Sequence, residues 1–312
     1  LYTDTVNDAA FITNDKIIEG PSYQYRSEKF KGVRNADIFQ NIVFDKGTAR
    51  FKRKINGTVF SLLTGGAGNS NYWHWLFDVL PRLKILNELI NFSNIDYFLF
   101  PDFKDKFQKE SLELLNIPTS KIISSKVFRH IEAQKIIAVD HPYVFENNPT
   151  LEIQNIPYWI LNFLKDKFLI NNLEKRFPEK FYIDRSDSKS NHRHLRKIIN
   201  EGEVKNFLKK RGFSIITLSE FSFLDQINLF YNAKEIVGLH GAGFANLVFS
   251  KPGTFILEFK SEFAAPVIGN LAKKIGLNFH EMSIKPKENL NKDQQGMLYV
   301  PLKDLEKLLI KI

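Results

Sequence analysis

A short glycine-rich segment has the composition of a phosphate-binding loop. It is expected to join a buried strand to a helix, and it reads Gly238-Leu239-His240-Gly241-Ala242-Gly243. Glycine lets a ligand approach the backbone closely, and the first N–H groups of a helix offer unpaired donors with a partial positive charge. We therefore predict diphosphate contacts from His240, Gly241, Ala242 and Gly243. A tight turn with a packed histidine is the alternative, because the segment matches neither a dinucleotide fingerprint nor a P-loop.

A second candidate anion site contains three arginines after another predicted strand, namely Arg185, Arg193 and Arg196. Guanidinium groups hold diphosphates through bidentate hydrogen bonds, although a solvated charged helix face would have the same composition. Glu258 lies near the end of a further strand, where a carboxylate could accept hydrogen bonds from both ribose hydroxyls or could simply be a surface group. If the ends of the strands before the arginines and before the glycine loop meet, they describe one anion-binding site.

A histidine and an aspartate form the third candidate site. His74 and Asp78 are four residues apart on a predicted helix and therefore share a face. The carboxylate could orient the imidazole as a general base that removes a proton from a hydroxyl. Two metal ligands, without an evident third, or a packed core histidine would also fit. Arg82 could reach a phosphate or pair with Asp78, and we expect it to line the acceptor side with Trp73 and His141.

The elements that must position these residues alternate between strand and helix in both halves of the chain. This alternation predicts an α/β fold with two Rossmann-like domains facing a cleft. We expect a first domain over residues 1–160 and a second domain over residues 161–300. A final helix over residues 301–312 could pack back towards the first domain.

Local patterns predict where the main helices begin and end. Pro81 should kink a helix over residues 71–89, because proline lacks the N–H that would bond the carbonyl one turn earlier. A helix over residues 153–173 leads into the second half. A helix over residues 193–211 should stop at Gly212.

Composition and charge narrow the class of protein. The 312 residues are 43% hydrophobic and 25% charged, which excludes a disordered chain. The net charge of +9 is compatible with nucleic acid, an anionic membrane, a phosphorylated ligand, or a biased genome composition. Lysines are dispersed and form no basic arm, which argues against a nucleic-acid partner. The absence of cysteine excludes disulfides, zinc thiolates and cysteine nucleophiles.

Three ordered segments of the sequence resemble the glycosyltransferase 61 family. The first is Asn71-Tyr72-Trp73-His74-Trp75-Leu76-Phe77-Asp78-Val79-Leu80-Pro81-Arg82-Leu83. The second is Arg185 followed by Arg196-Lys197-Ile198-Ile199-Asn200-Glu201. The third is Val237-Gly238-Leu239-His240-Gly241-Ala242-Gly243-Phe244-Ala245-Asn246-Leu247-Val248-Phe249, with Pro252-Gly253 and Glu258. Three motifs in the order of the family are far more specific than any one of them.

The resemblance implies a GT-B fold and an inverting transfer from a nucleotide sugar, typically a UDP-sugar, with no cofactor and no obligatory metal. Eukaryotic relatives use UDP-linked GlcNAc or xylose, and bacterial relatives serve capsule and surface polysaccharide synthesis. The lack of cysteines and of a membrane anchor favours a bacterial, cytoplasmic enzyme. Such an enzyme could associate with the inner face of the membrane near a lipid-linked saccharide acceptor.

The resemblance also suggests a division of roles. The donor diphosphate would lie against the second domain with Glu258 at the ribose, and His74, oriented by Asp78, would be the base. Asp78 could instead be the base while His74 binds the donor, and the polar insertion at residues 186–192 leaves open which arginine contacts the diphosphate. A non-catalytic nucleotide- or carbohydrate-binding protein, or a nucleotide-sugar epimerase, would use the same fold.

Overall fold

The chain forms two compact units in a computed structural model. The structure describes residues 1–3, 9–22, 51–63, 71–101, 103–144, 146, 148–169, 176–188, 196–287 and 296–310. The units are Leu1–Lys167 and Phe168–Ile312, whereas the sequence places the division at residue 160. Each unit contains a parallel sheet with helices, which confirms the predicted α/β class.

Unit 1 combines a small hairpin with a four-stranded sheet. Its strands are β1 (Ile12–Thr13), β2 (Lys16–Ile17), β3 (Arg53–Ser61), β4 (Tyr97–Phe100), β5 (Ile122–Ser124) and β6 (Ile131–Ala138). Its helices are α1 (Tyr72–His74), a π-helical turn (Trp75–Val79), α2 (Leu80–Leu89), α3 (Lys106–Leu114), α4 (Pro149–Gln154) and α5 (Tyr158–Phe168), with 3-10 turns at Phe92–Asn94 and Thr119–Lys121.

The main sheet of unit 1 reverses its strand order beside β3. The order is β5-β4-β3-β6 and every pair is parallel. The chain therefore adds β4 and β5 on one side of β3 and then returns to add β6 on the other. Such a switch point leaves a crevice beyond the carboxyl ends of β3 and β6, where open α/β sheets bind ligands. Val59, Leu99 and Ile131 are buried in the core of this unit.

The predicted helix over residues 71–89 is confirmed, and its irregularity has a local cause. The Asn71 side chain caps it by accepting a hydrogen bond from the Trp73 N–H at 3.0 Å. The expected kink takes the form of the π-helical turn, in which the Leu80 N–H bonds the Trp75 carbonyl. Pro81 follows directly and has no N–H to donate to Phe77, so the wider turn ends where the proline begins.

Unit 2 contains seven described strands and four described α-helices. The strands are β7 (Lys180–Asp184), β8 (Arg196–Ile198), β9 (Ser214–Thr217), β10 (Glu235–Leu239), β11 (Phe255–Ser261), β12 (Asn278–Ile284) and β13 (Gly296–Leu298). The helices are α6 (Glu201–Lys209), α7 (Phe223–Asn232), α8 (Val267–Lys274) and α9 (Leu302–Leu309), with 3-10 segments at Leu218–Glu220 and Ala242–Phe249.

The five-stranded sheet of unit 2 has its own switch point. Its order is β12-β11-β10-β7-β9, with every pair parallel. In chain order this is the doubly wound pattern 2-1-3-4-5, which reverses between β7 and β10 and predicts a ligand at their carboxyl ends. Its core includes Val237, Leu257 and Phe259, and Leu305 of α9 packs into the same cluster. The predicted packing of the final helix towards the first domain stays a prediction.

Two predicted helices differ from the structure. The helix expected over residues 193–211 begins only at Glu201, because Arg196–Ile198 pairs in parallel with β13 as strand β8. Gly212, with φ of +84°, follows the helix as expected. The helix expected over residues 153–173 is interrupted between α4 and α5, where Pro157 disfavours a helical conformation for the residue before it.

Two sequence predictions fall outside the described residues, namely Arg193 and most of the polar insertion at residues 186–192. Within the described part of the chain, no helix combines the length and the apolar character that a membrane span requires.

Candidate functional site

In unit 1 the predicted histidine–aspartate pair forms a direct contact. The His74 Nδ1 atom lies 2.5 Å from the Asp78 Oδ2 atom, and the two side chains are 7% and 6% exposed. His74 ends α1 and Asp78 lies in the π-helical turn, so the helix itself sets the contact. An ionised carboxylate only accepts hydrogen bonds, so it selects the tautomer with a proton on Nδ1. His74 would then act through Nε2.

Asp78 is surrounded by groups that favour its charged form. Burial opposes ionisation of this carboxyl, but the charge and hydrogen bond of His74 and the charges of His141 and Arg82 together lower its pKa below the ordinary value. A carboxylate with a lowered pKa is a weak proton acceptor. This environment suits Asp78 to orienting an imidazole better than to acting as the base.

Arg82 ties together the two strand ends at the switch point of unit 1. Its Nη1 atom donates to the Leu63 carbonyl at 3.1 Å and to the Val139 carbonyl at 3.0 Å. Those carbonyls lie just beyond β3 and β6. The sequence offered a phosphate contact or a pair with Asp78. The structure gives this nitrogen two main-chain partners, and the charge of Arg82 also acts on Asp78, while a contact with a phosphate stays a prediction.

Trp73 and His141, both expected on the acceptor side, occupy different surroundings in unit 1. Trp73 is buried, and its ring packs edge-on against Phe77 at 4.8 Å between centroids. His141 follows β6, and its Nε2 atom lies 3.7 Å from the Asp78 Oδ1 atom. The structure thus brings His141 to the catalytic candidates, while contact of either side chain with an acceptor stays a prediction.

In unit 2 two arginines converge on the carbonyl at the end of β10. Arg185 immediately follows β7 and donates from Nη1 to the His240 carbonyl at 2.9 Å. Arg196, the first residue of β8, donates from Nη1 to the same oxygen at 3.2 Å. The structure thus brings the arginine segment and the glycine loop together, which is the condition on which the sequence made them one anion site, while their contact with a diphosphate stays a prediction. Two guanidinium groups therefore lie at the β7–β10 switch point, where an anionic ligand would be expected.

The guanidinium of Arg185 is largely buried. Burial lowers the pKa of its guanidinium, while Tyr182, Asp187 and Glu201 act in the opposite sense. Arginine stays protonated despite such shifts. Burial of a guanidinium is costly unless negative charges nearby compensate it. A bound phosphate would add a negative charge of this kind beside Arg185.

Two positions of the loop require glycine for steric reasons that the sequence alone did not reveal. A Cβ atom on Gly241 would lie 3.3 Å from the Arg185 Cζ atom, so the guanidinium packs directly on this residue. A Cβ atom on Gly243 would come within 2.7 Å of the Leu218 Cδ1 atom. Gly241 has an extended backbone that any residue could adopt, so space rather than φ requires glycine there. The loop leads into the 3-10 segment Ala242–Phe249, as the expected strand–loop–helix pattern requires.

The His240 ring forms a buried pair with Glu258. Its Nδ1 atom hydrogen-bonds the Glu258 Oε1 atom, and the side chains are 6% and 1% exposed. The carboxylate would fix the tautomer and orientation of this ring, as it does for His74. Glu258 thus lies on the predicted strand and close to the predicted loop, and its carboxylate contacts the His240 ring. Its contact with a ribose stays a prediction.

Sequence reasoning missed two charged groups near these sites. Lys260, two residues after Glu258 on β11, is buried and pairs with Glu281 of β12 at 3.2 Å. Glu152 of α4 is 3% exposed, and its Oε2 atom lies 3.8 Å from the His141 Nδ1 atom. Alternation along β11 would have placed Lys260 on the face of Glu258. Nothing in the sequence marks Glu152, because its contact with His141 depends on the tertiary packing of α4.

The described residues contain no group of three or more histidine, aspartate or glutamate side chains that could hold a metal ion. The positive charges that the structure describes at the end of β10 are those of Arg185 and Arg196. Positively charged side chains can stabilise a leaving diphosphate in place of a cation.

Each unit is thus a parallel α/β sheet with a buried imidazole–carboxylate pair at its switch point, and the second adds two arginines at the end of β10. This is the arrangement of a Rossmann-like α/β protein. A family model described as Glycosyltransferase 61 matches residues 72–257, which is more than half of the chain, and the chain belongs to that family.

A curated relative supports the same grouping. The chain is similar to a beta-1,2-xylosyltransferase of Arabidopsis thaliana, with 32% identity over 121 residues. The match covers 33% of this chain and 23% of the relative, so it spans less than a quarter of that protein's length.

Proposed function

We propose that this protein is an inverting glycosyltransferase that moves a sugar from a nucleotide-sugar donor to a saccharide acceptor. The observation that carries the proposal is the convergence of Arg185 and Arg196 on the His240 carbonyl at the switch point of unit 2. Membership of the glycosyltransferase 61 family supports the same activity. A UDP-sugar is the donor that we propose, and the named activity of the plant relative makes UDP-xylose one of the first to try.

For the donor, we propose that the diphosphate meets the two guanidinium groups and the loop over residues 240–243. Each guanidinium can donate two parallel hydrogen bonds to phosphate oxygens, so the leaving group needs no obligatory metal. His240, with Glu258 at Nδ1, would present Nε2 as a further donor when the ring is protonated. Arg193 remains a proposed third arginine of this site.

For the acceptor, we propose that His74 is the base. Its Nε2 atom takes the proton of the acceptor hydroxyl as that oxygen forms a bond to the anomeric carbon of the sugar. The bond from that carbon to the diphosphate oxygen breaks in the same step, and the diphosphate leaves with the electron pair. A single displacement inverts the anomeric carbon. The lowered pKa of Asp78 supports the orienting role for this carboxylate and the base role for His74.

The larger setting is also a proposal. Two doubly wound units in one chain support the GT-B arrangement, in which one unit serves the acceptor and the other the donor. We propose a bacterial, cytoplasmic enzyme of surface polysaccharide synthesis, held peripherally at an anionic membrane near a lipid-linked acceptor. The net charge of +9 supports membrane attraction, and salt-sensitive flotation with anionic liposomes would test it.

Thermal unfolding in the presence of nucleotides tests the donor half directly. A ligand that binds only the folded protein stabilises it by about 2.7 kcal/mol at a hundred times its Kd. We expect UDP and at least one UDP-sugar to raise the melting temperature, with EDTA making no difference. Release of nucleoside diphosphate that depends on an added saccharide would then demonstrate transfer. Interconversion of free nucleotide sugars would instead indicate an epimerase, and the lack of stabilisation by any nucleotide would overturn the proposal.

A further inference from the structure

A buried carboxylate in unit 1 has no part in the mechanism described so far. Glu152 belongs to the short helix α4 and is 3% exposed. Its Oε2 atom lies 3.8 Å from the His141 Nδ1 atom. That nitrogen also donates to the Tyr143 carbonyl at 2.6 Å, which fixes a proton on Nδ1 because a carbonyl can only accept. The ring of His141 is therefore held from one side in a defined orientation.

The other nitrogen of the same ring points to the catalytic candidates. His141 Nε2 lies 3.7 Å from Asp78 Oδ1, and Asp78 Oδ2 contacts His74 Nδ1 at 2.5 Å. Carboxylates and imidazoles thus alternate in a row of four neighbouring side chains, in the order Glu152, His141, Asp78 and His74. The members come from α4, from the segment after β6, from the π-helical turn and from α1.

Charge along this row acts on the aspartate from two sides. Burial disfavours the Asp78 carboxylate, and the charges of His74, His141 and Arg82 overcome that penalty, so that its pKa is lowered. Arg82 is held by main-chain carbonyls. Among the described residues, the charged groups that act on Asp78 are therefore the imidazoles of His74 and His141 and the guanidinium of Arg82. Glu152 contacts His141.

We propose that His141 and Glu152 are positioning residues, an outer pair that fixes the Asp78 carboxylate and through it the ring of His74. The catalytic role of this outer pair rests on the proposed function, whereas the electrostatic coupling of His141 to Asp78 does not. A carboxylate held by two partners keeps one rotamer, and a ring that it orients keeps one tautomer. Partners of this kind around a working histidine typically change activity by about 10- to 100-fold when they are removed.

The experiment compares His141→Asn, Glu152→Gln and the double variant with the wild type. We expect His141→Asn to lower kcat by about tenfold while the donor KM stays within about twofold. If Glu152 acts through His141, the double variant loses no more than His141→Asn alone. Additive losses in kcat, or a loss that appears only in KM, would overturn the outer-pair assignment. His280→Asn is the matched control, because that imidazole lies on β12 and contacts Asn278.

A second readout does not depend on turnover. Carbon-13 NMR of labelled aspartate follows the titration of Asp78, which is assigned by its loss in Asp78→Asn. Removal of the charge of His141 should move this titration to higher pH by about one pH unit, while His280→Asn leaves it in place. An unmoved titration in His141→Asn would contradict the coupling. If this variant does not fold, His141→Gln replaces it, because it also removes the charge of the ring and keeps a longer side chain at this position.

The two readouts separate two kinds of failure. A wild-type protein that transfers no sugar would overturn the proposed function, and the titration of Asp78 would still decide whether the outer pair exists. An active wild-type enzyme with an unmoved titration and additive kcat losses would keep the function and overturn the outer pair.

Discussion

Both units place a buried histidine, bonded through Nδ1 to a carboxylate, at the switch point of a parallel sheet. In unit 1 the pair is His74 with Asp78, and in unit 2 it is His240 with Glu258. The surroundings differ. A second imidazole faces Asp78, whereas the main-chain carbonyl of His240 accepts hydrogen bonds from two guanidinium groups.

This difference teaches that the same pair can serve opposite purposes. A neutral imidazole with Nδ1 protonated carries a lone pair on Nε2 and is suited to accept a proton, as proposed for His74. A protonated imidazole donates from Nε2 and is suited to bind a phosphate, as proposed for His240. Arginines beside His240 would attract the anion that such a donor needs.

Removal of the proposed base should have the largest effect. We expect His74→Ala to lower kcat by about a thousandfold, since general base catalysis contributes about 10²- to 10⁴-fold. Steady-state release of nucleoside diphosphate with a saccharide acceptor measures this loss. His280→Ala should retain full activity. A His74→Ala enzyme with near-normal kcat would move the base elsewhere, with Asp78 as the first candidate.

Removal of a guanidinium should mainly weaken donor binding. We expect Arg185→Met to raise the Kd of UDP about 30-fold, because a charge-assisted hydrogen bond contributes about 2 kcal/mol. Isothermal titration at two salt concentrations measures this effect, and the variant should be less salt-sensitive than the wild type. Arg211→Met is the matched control, because Arg211 pairs with Glu306 and stacks on Phe207. Equal losses in both variants would contradict a local anion site.

Glu258→Gln separates two roles for the buried carboxylate of unit 2. If Glu258 orients and charges His240, the variant should bind both UDP and inorganic pyrophosphate more weakly, each by about tenfold. If Glu258 holds the ribose, only the affinity for UDP should fall, because pyrophosphate has no ribose. The carboxylate faces His240, so we expect the first result. The two affinities can be compared by titration calorimetry, with Glu281→Gln as the control on the neighbouring strand.

The smallest effect should be a pH dependence of stability in unit 1. The folded-state pKa of Asp78 is lower than its unfolded-state value, so its charge stabilises the fold above about pH 4, and this contribution is lost as the pH falls through the lower folded pKa. We expect Asp78→Asn to lower the free energy of unfolding by about 1 kcal/mol at neutral pH. The difference from the wild type should shrink in acid. Urea unfolding at several pH values measures this difference in the free energy of unfolding, with Asp304→Asn as a surface control. A difference that does not vary with pH would argue against the lowered pKa of Asp78.

The two units also differ in how far the sequence predicts them. The contact of His74 with Asp78 follows from spacing on one helix, so it was predictable. The contact of His240 with Glu258 joins the end of β10 to the middle of the neighbouring strand β11, whereas the sequence predicted that Glu258 would lie near the end of its strand. The pairing of partners so far apart depends on strand order, which local periodicity does not encode.

The same limit explains the residues that the sequence misplaced or missed. Arg82 finds main-chain partners beyond both β3 and β6 because these strands are neighbours in the sheet, and the contact of Glu152 with His141 depends on where α4 packs in the tertiary structure. Arg196 was expected in a helix because its neighbours are helix-compatible, but pairing with β13 makes it part of a strand. Tertiary pairing overrides a weak local preference in short segments of this kind.

The central claim, that unit 2 binds the donor and unit 1 performs the chemistry, is tested most directly by titrating UDP into His74→Ala and His240→Ala. Titration calorimetry should give a Kd for His74→Ala within about twofold of the wild type, and a Kd for His240→Ala raised about tenfold or more. The opposite pattern, with UDP binding lost in His74→Ala and retained in His240→Ala, would contradict the account.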